Sequence, residues 1–206
     1  MAQDVDGGTT FGTWTDSCAQ YMYKTSFLEL VNTEQFRGMN VLDVGGGNGL
    51  LKTLLSEANV TTVDIDANKR PDICQDALTY IPDTSPDVVF GRYVLHYLTT
   101  TQATRLLAHI GTYCKRMVII QFVNDWSAID IKRSISQGSG DHAKTFYRWS
   151  DLFALCDRQP WVINRTATTK TTITAEFYRN RLGVSGARQH TESIVMLELQ
   201  HIGDNK

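Results

Sequence analysis

The chain has 206 residues, 42% apolar and 20% charged, the make-up of one ordinary globular domain and not of a disordered or fibrous chain. A net charge of −2 and a pI near 6.2 give no global electrostatic reason to expect a nucleic acid or an anionic membrane as partner. Cys18, Cys74, Cys114 and Cys156 form no Cys-x-x-Cys or Cys/His pair of zinc type, so reduced thiols, a cytoplasmic location and no metal are expected.

The polar, acidic start from Met1 to Gly8 carries no secretory pattern. No apolar run approaches the roughly 18 residues that a membrane span needs. Residues 1–16 are rich in Gly, Thr and Asp around Phe11 and Trp14, which reads as an irregular arm. Ser17 is placed to cap a helix running to about Phe36, with Cys18, Met22, Leu28 and Val31 buried and Gly38 ending it. Residues 1–37 are therefore an arm and a helix ahead of the core.

Val41-Leu42-Asp43-Val44-Gly45-Gly46-Gly47-Asn48-Gly49-Leu50-Leu51 follows. It reads as a buried strand over 40–44, a tight turn and a helix with Leu50, Leu51, Leu54, Leu55 and Ala58 on its apolar face. Glycines at 45, 47 and 49 make positive φ cheap and remove Cβ atoms where a ligand can approach backbone N–H groups. A nucleotide-type ligand at this turn is the first expectation.

A β-branched strand runs from Val60 to Ile65, and a short one is expected near Asp72 to Cys74, beyond a stretch broken by Pro71. Pro82 and Pro86 bracket a loop; Asp87 to Phe90 is a buried strand that Gly91 breaks. Ala103, Leu106, Leu107, Ile110 and Cys114 mark an amphipathic helix, and Met117 to Val123 a fifth strand. Ser150 is expected to cap a short helix through Cys156, ahead of a Thr-rich strand over 161–177. In the last strand, Thr191 to His201, Val195, Leu197 and Leu199 alternate with Met196, Glu198 and Gln200, which suits one buried face. Strands alternating with helices give an α/β fold: a doubly wound, mostly parallel seven-stranded sheet, helices on both faces and a C-terminal antiparallel hairpin. The whole chain, 1–206, is expected to be this one domain.

Which ligand the glycine turn serves depends on the residues around it. A dinucleotide fingerprint, Gly-x-Gly-x-x-Gly/Ala, needs Gly or Ala at position 50, where this chain has Leu50. About forty residues also precede the strand, whereas a dinucleotide fold usually opens with it. Asp43-Val44-Gly45-Gly46-Gly47-Asn48-Gly49 instead resembles the first motif of the class I (Rossmann-like) S-adenosylmethionine (SAM)-dependent methyltransferases. Four further stations in the same order extend the resemblance over residues 35–125: Thr62-Val63-Asp64-Ile65-Asp66, Gln75-Asp76-Ala77, Pro86 to Leu98, and Met117-Val118-Ile119-Ile120-Gln121.

That resemblance implies SAM as cofactor, S-adenosylhomocysteine as product, and a set of site residues. The turn, Gly45, Gly46, Gly47 and Gly49, is expected to hold the methionine end. Asp64, with Ile65 beside it, is the expected ribose partner, because one carboxylate can accept from two vicinal hydroxyls; Asp66 is expected to cap the next segment. Asp76 can accept from the adenine amine with the Ala77 N–H nearby, or it is a turn Asp. Asp43, costly in a strand unless hydrogen-bonded, either braces the loop or serves the methionine ammonium. The Gly91 carbonyl is expected to face that ammonium. Arg92 and Tyr93 flank the ligand, with core packing equally open for Tyr93.

No catalytic residue is legible; His96, Asn124 and Asp125 are the candidates, each with a purely structural reading beside it. Residues 125–148 are expected to be a lid or substrate loop, with Trp126, Arg133 and Tyr147 as acceptor contacts, or else a solvated charged helix. A small-molecule acceptor is favoured, because no basic balance and no Asn-Pro-Pro-Tyr-type motif accompanies the fold. A SAM-binding regulatory or partner module is the alternative. The expected assembly is a monomer or homodimer.

Overall fold

The computed structural model describes residues 17–123, 147–173 and 190–203. The arm with Phe11 and Trp14 lies outside the described residues, as do Asn124, Asp125, Trp126 and Arg133. In chain order come helix α1 (Ser17–Leu30), strand β1 (Asn40–Val44), helix α2 (Leu50–Leu54), β2 (Asn59–Asp64), β3 (Ile73–Cys74), β4 (Val88–Arg92), α3 (Thr100–Gly111), β5 (Arg116–Val123), α4 (Trp149–Asp157), β6 (Trp161–Ile173) and β7 (His190–His201).

The strands form one sheet in the order β3-β2-β1-β4-β5-β7-β6. Pairs from β3 through β5 are parallel, and β7 joins both β5 and β6 antiparallel. Two apolar layers cover the sheet. One holds Leu106, Leu107 and Ile110 of α3 and Leu152 and Leu155 of α4 against Val44, Val89, Met117 and Ile119. The other holds Phe27 and Leu30 of α1 and Leu51 of α2 against Val41, Val88, Phe90, Val118 and Ile120. Phe90 centres this layer, edge-on to Phe36 with ring centroids 5.1 Å apart, a pairing that adds to burial.

Three boundaries and one burial differ from the sequence reading. The N-terminal helix stops at Leu30, and a separate 3-10 turn, Thr33–Phe36, follows, because the Asn32 side chain accepts from Glu34 N and starts a new element. Leu28 is 49% exposed instead of buried, while Val31 is buried. Gly91 does not break its strand: it pairs with Val44 and Ile119, and β4 continues to Arg92. The short helix near the end begins at Trp149, where the Asp151 carboxylate accepts from Arg148 N at 2.9 Å, so Ser150 is inside it and not its cap.

β7 also departs from the one-faced pattern. Val195, Leu197 and Leu199 enter the first layer, and Ile194 and Met196 the second, so both faces are buried over its middle. Insertion between β5 and β6 is the reason, since an inner strand of a two-layered sheet has no solvent side.

Candidate active site

The strand order reverses between β1 and β4. In an open α/β sheet the crevice at the carboxyl ends of the two strands flanking such a reversal is where ligands bind. Three peptide features converge there: the glycine turn after β1, the acidic end of β2 and the residues after β4.

Gly45 N and Gly46 N both donate to the Val63 carbonyl, at 2.8 and 3.3 Å, which folds the turn back onto β2. Gly45, Gly47 and Gly49 all have positive φ, as the spacing predicts. A Cβ at Gly45 would stand 2.6 Å from a Val94 methyl, and one at Gly46 would stand 2.9 Å from both the carbonyl and a carboxylate oxygen of Asp43. Gly47 differs: its neighbours leave room, and only its φ of +54° requires glycine.

Asp64 is 6% exposed at the end of β2. One oxygen accepts from Gly47 N and the other from Asp66 N, each at 2.9 Å, and Lys69 Nζ stands 3.7 Å away. Each oxygen keeps a second lone-pair direction for a hydroxyl. The carboxylate thus ties the loop to β2 as well as edging the crevice. Asp66 accepts from Asn68 N at 3.0 Å and caps the 3-10 turn Ala67–Lys69, as expected. Ile65 between them is 72% exposed.

Asp43 is fully buried, and its partner is Arg92, whose Nη2 donates to Oδ2 at 2.8 Å. Register places Asp43 opposite Phe90 and Val44 opposite Gly91, so side chains 43 and 92 leave the sheet on one face and meet beneath Gly46. Burial pushes the Asp43 carboxyl above its ordinary range; Arg92 pulls against that, and the charge of Asp64 adds to it. Asp43 Oδ1 and Arg92 Nε are enclosed with no partner among the described residues.

Asp76 accepts from Leu78 N at 2.9 Å through Oδ1, a turn-forming bond, and half-buried Ala77 packs on the first layer. Tyr93 holds a φ of +52° and stacks on Phe122 with centroids 4.6 Å apart, so its ring belongs to the second layer. Non-glycine residues held in this region carry strain of about 1–3 kcal/mol and cluster at functional sites. A Cβ at Gly91 would meet a Met117 methyl at 3.1 Å. Tyr147 is buried in the first layer, a core position.

His96 stands on a 3-10 turn, Leu95–Tyr97. Its ring is half-buried, and burial takes its pKa down to about 4; Gln121 Nε2 stands 3.2 Å from its Nδ1. The Tyr97 ring lies 4.0 Å away; burial and the charge of Asp64 keep that phenol protonated far above its ordinary value.

Three contacts were missed by the sequence reading. Lys52 Nζ pairs with Asp72 at 2.5 Å, and Asp72 accepts from Thr62 N at 2.8 Å, which fastens the shortened β2–β3 connection. Nothing in the sequence marks it. The Asp43–Arg92 pair is equally silent, its members lying 49 positions apart. Gln121 did leave a signal: a polar residue inside the apolar run Met117–Val123.

A model of the methyltransferase domain matches residues 16–170. No curated protein matches the chain. Among solved structures, a candidate methyltransferase from Bacillus halodurans C-125 superposes with a TM-score of 0.63 at 11% identity, over 80% of this chain and 93% of that one. Magnesium protoporphyrin IX methyltransferase from Synechocystis PCC 6803, crystallised with S-adenosylhomocysteine, gives 0.56 at 18%, over 94% and 84%. A mitomycin 7-O-methyltransferase gives 0.60 at 17%, over 96% of this chain and 62% of that one. With its glycine turn and acidic β2 end at the switch point of a 3-2-1-4-5-7-6 sheet, the chain belongs to the methyltransferase-domain family and has the class I fold.

Proposed function

We propose that the protein binds SAM in the crevice between β1 and β4 and transfers its methyl group to a small molecule. The observation that carries this is the glycine turn, folded onto β2 and joined by the Gly47 N–H to the Asp64 carboxylate. The residues fit the group. Val94 and Asp43 leave no room for a Cβ at Gly45 or Gly46, so the turn lies close on the protein beneath it with no side chain at these positions; Asp64 keeps lone pairs for hydroxyls, and the enclosed Asp43 Oδ1 is an acceptor still unused among the described residues.

In this reading Gly45, Gly46, Gly47 and Gly49 line the methionine end, with Asp43, Gly91 and Arg92 beneath it. Asp64 and Ile65 take the ribose side, and Asp76 and Ala77 the adenine. Bound there, SAM supplies a methyl group on a sulfonium, whose leaving thioether is neutral and needs no acid. What the chain contributes is orientation, worth up to about 7–11 kcal/mol in model systems, and exclusion of water. The Asp43–Arg92 pair keeps the floor of the crevice rigid, since neither ion can move without abandoning the other in a buried place.

The acceptor side rests on different support. The solved relatives include a magnesium protoporphyrin IX methyltransferase and a mitomycin 7-O-methyltransferase, and the near-neutral charge favours a small molecule over a polyanion. A cytoplasmic location agrees with free Cys74, Cys114 and Cys156, and no described helix is long and apolar enough to cross a membrane. Incubation with methyl-labelled SAM and a panel of small-molecule acceptors tests the reading. Label is expected in an acceptor; a folded protein that fails to bind SAM refutes it.

A further inference from the structure

Met117, Ile119, Gln121 and Val123 alternate onto one face of β5, and all but Gln121 join the apolar layer beneath α3 and α4. Gln121 is 2% exposed. A primary amide in such a row is costly unless it is hydrogen-bonded, so the choice of residue calls for a partner. That partner is His96: Gln121 Nε2 stands 3.2 Å from His96 Nδ1, from a strand 25 positions away. Besides Gln121, the ring packs against the phenol of Tyr97. No ionised group among the described residues is paired with it, and the charge of Asp64 acts on Tyr97.

A neutral imidazole carries one proton, so one nitrogen donates and the other accepts. With the Gln121 N–H donating, Nδ1 is the acceptor and the proton belongs to Nε2. The opposite orientation of the amide would enclose both of its N–H groups unsatisfied. The observed one leaves Oε1 without a partner among the described residues, and buried carbonyl oxygens go short of partners more often than N–H groups do. The two ring nitrogens face opposite ways, so Nε2–H is directed away from β5.

We infer that Gln121 is a positioning residue that fixes His96 as its Nε2–H tautomer, so that His96 offers the methyl acceptor a hydrogen-bond donor instead of a base. The inference rests on the methyltransferase reading and narrows it. The acceptor atom lying against His96 has a free lone pair and no proton to surrender there: an ionised oxygen, or a nitrogen already unprotonated.

The test is imidazole nitrogen spectroscopy on the full chain with isotope-labelled histidine and added S-adenosylhomocysteine. His96 is assigned by the signals lost in His96→Asn. The expected spectrum has Nε2 protonated and Nδ1 bare throughout neutral pH. In Gln121→Leu the Nδ1–H form is expected to rise several-fold, and in Gln121→Glu to become the major form. A wild-type ring with its proton on Nδ1, or a tautomer ratio unmoved by Gln121→Leu, overturns the inference. Should Gln121→Leu not fold, the wild-type spectrum and Gln121→Glu still decide. Calorimetry separates the two claims: folded wild type that ignores S-adenosylhomocysteine refutes the methyltransferase reading, whereas binding with the wrong tautomer refutes only the role of Gln121.

Discussion

Asp64 Oδ2 accepts from Gly47 N at 2.9 Å, so the last residue of β2 fastens the turn that follows β1. One carboxylate thereby shapes the loop and edges the crevice, and the two roles respond differently to substitution. Asp64→Ala leaves the part-buried Gly47 and Asp66 N–H groups without their acceptor, at about 1–3 kcal/mol. Asp64→Asn keeps one carbonyl oxygen and costs less. Urea unfolding is expected to rank wild type above Asn and Asn above Ala; an Ala variant as stable as wild type contradicts the staple.

Gly46 and Gly47 are required for different reasons, and Ala at each separates them. Gly46→Ala drives a methyl to within 2.9 Å of the Asp43 backbone oxygen, so the loop must move, at about 1–3 kcal/mol. Gly47→Ala meets nothing closer than 3.6 Å and costs about 1–2 kcal/mol through its left-handed φ alone. Crystal structures of the two variants are expected to show a displaced turn for Gly46→Ala and an unmoved one for Gly47→Ala. The reverse pattern contradicts the assignment.

Asp43 and Arg92 stand or fall together. Arg92→Met leaves a carboxylate at 0% exposure without its counter-ion, a change costing about 3–5 kcal/mol. Combining it with Asp43→Leu removes the charge too, and the double variant is expected to lose less than the sum of the single losses. A double-mutant cycle by urea unfolding measures this; strict additivity contradicts the pair.

How much of this was readable beforehand follows from what each residue answers to. Asp64, Asp66 and the glycines answer to local backbone geometry, which spacing along the chain records, and they sit where the sequence places them. Gly91 was misread because a glycine usually punctuates a strand; here it lets β4 run past the Met117 methyl. Met196 was misread because alternation implies a solvent face, and only the sheet order shows that β7 has none. Arg92 and Gln121 answer to partners 49 and 25 positions away. Periodicity carries no record of such pairs; only the fold brings them together.

His96 ties stability to pH. Its folded pKa of about 4 lies below the ordinary 6.5, so between these values the unfolded chain binds more protons than the folded one. Stability is therefore fully present above pH 6.5 and lost as the pH falls toward 4, by up to about 3 kcal/mol. His201, also lowered by burial and by Lys115, adds to the same slope. The difference between wild type and His96→Asn isolates one contribution: the variant is expected to lose less stability across that window. Parallel curves contradict a neutral His96 in the folded chain.

The central claim is that the β1–β4 crevice is a SAM site edged by Asp64, and titration calorimetry of SAM into wild type and Asp64→Ala tests it most directly. A carboxylate accepting two hydroxyls accounts for about 1.5–3 kcal/mol per bond, so wild type is expected to bind at one site and Asp64→Ala roughly a hundredfold more weakly or worse. Unchanged affinity in a folded Asp64→Ala variant, or no binding by wild type, would contradict it.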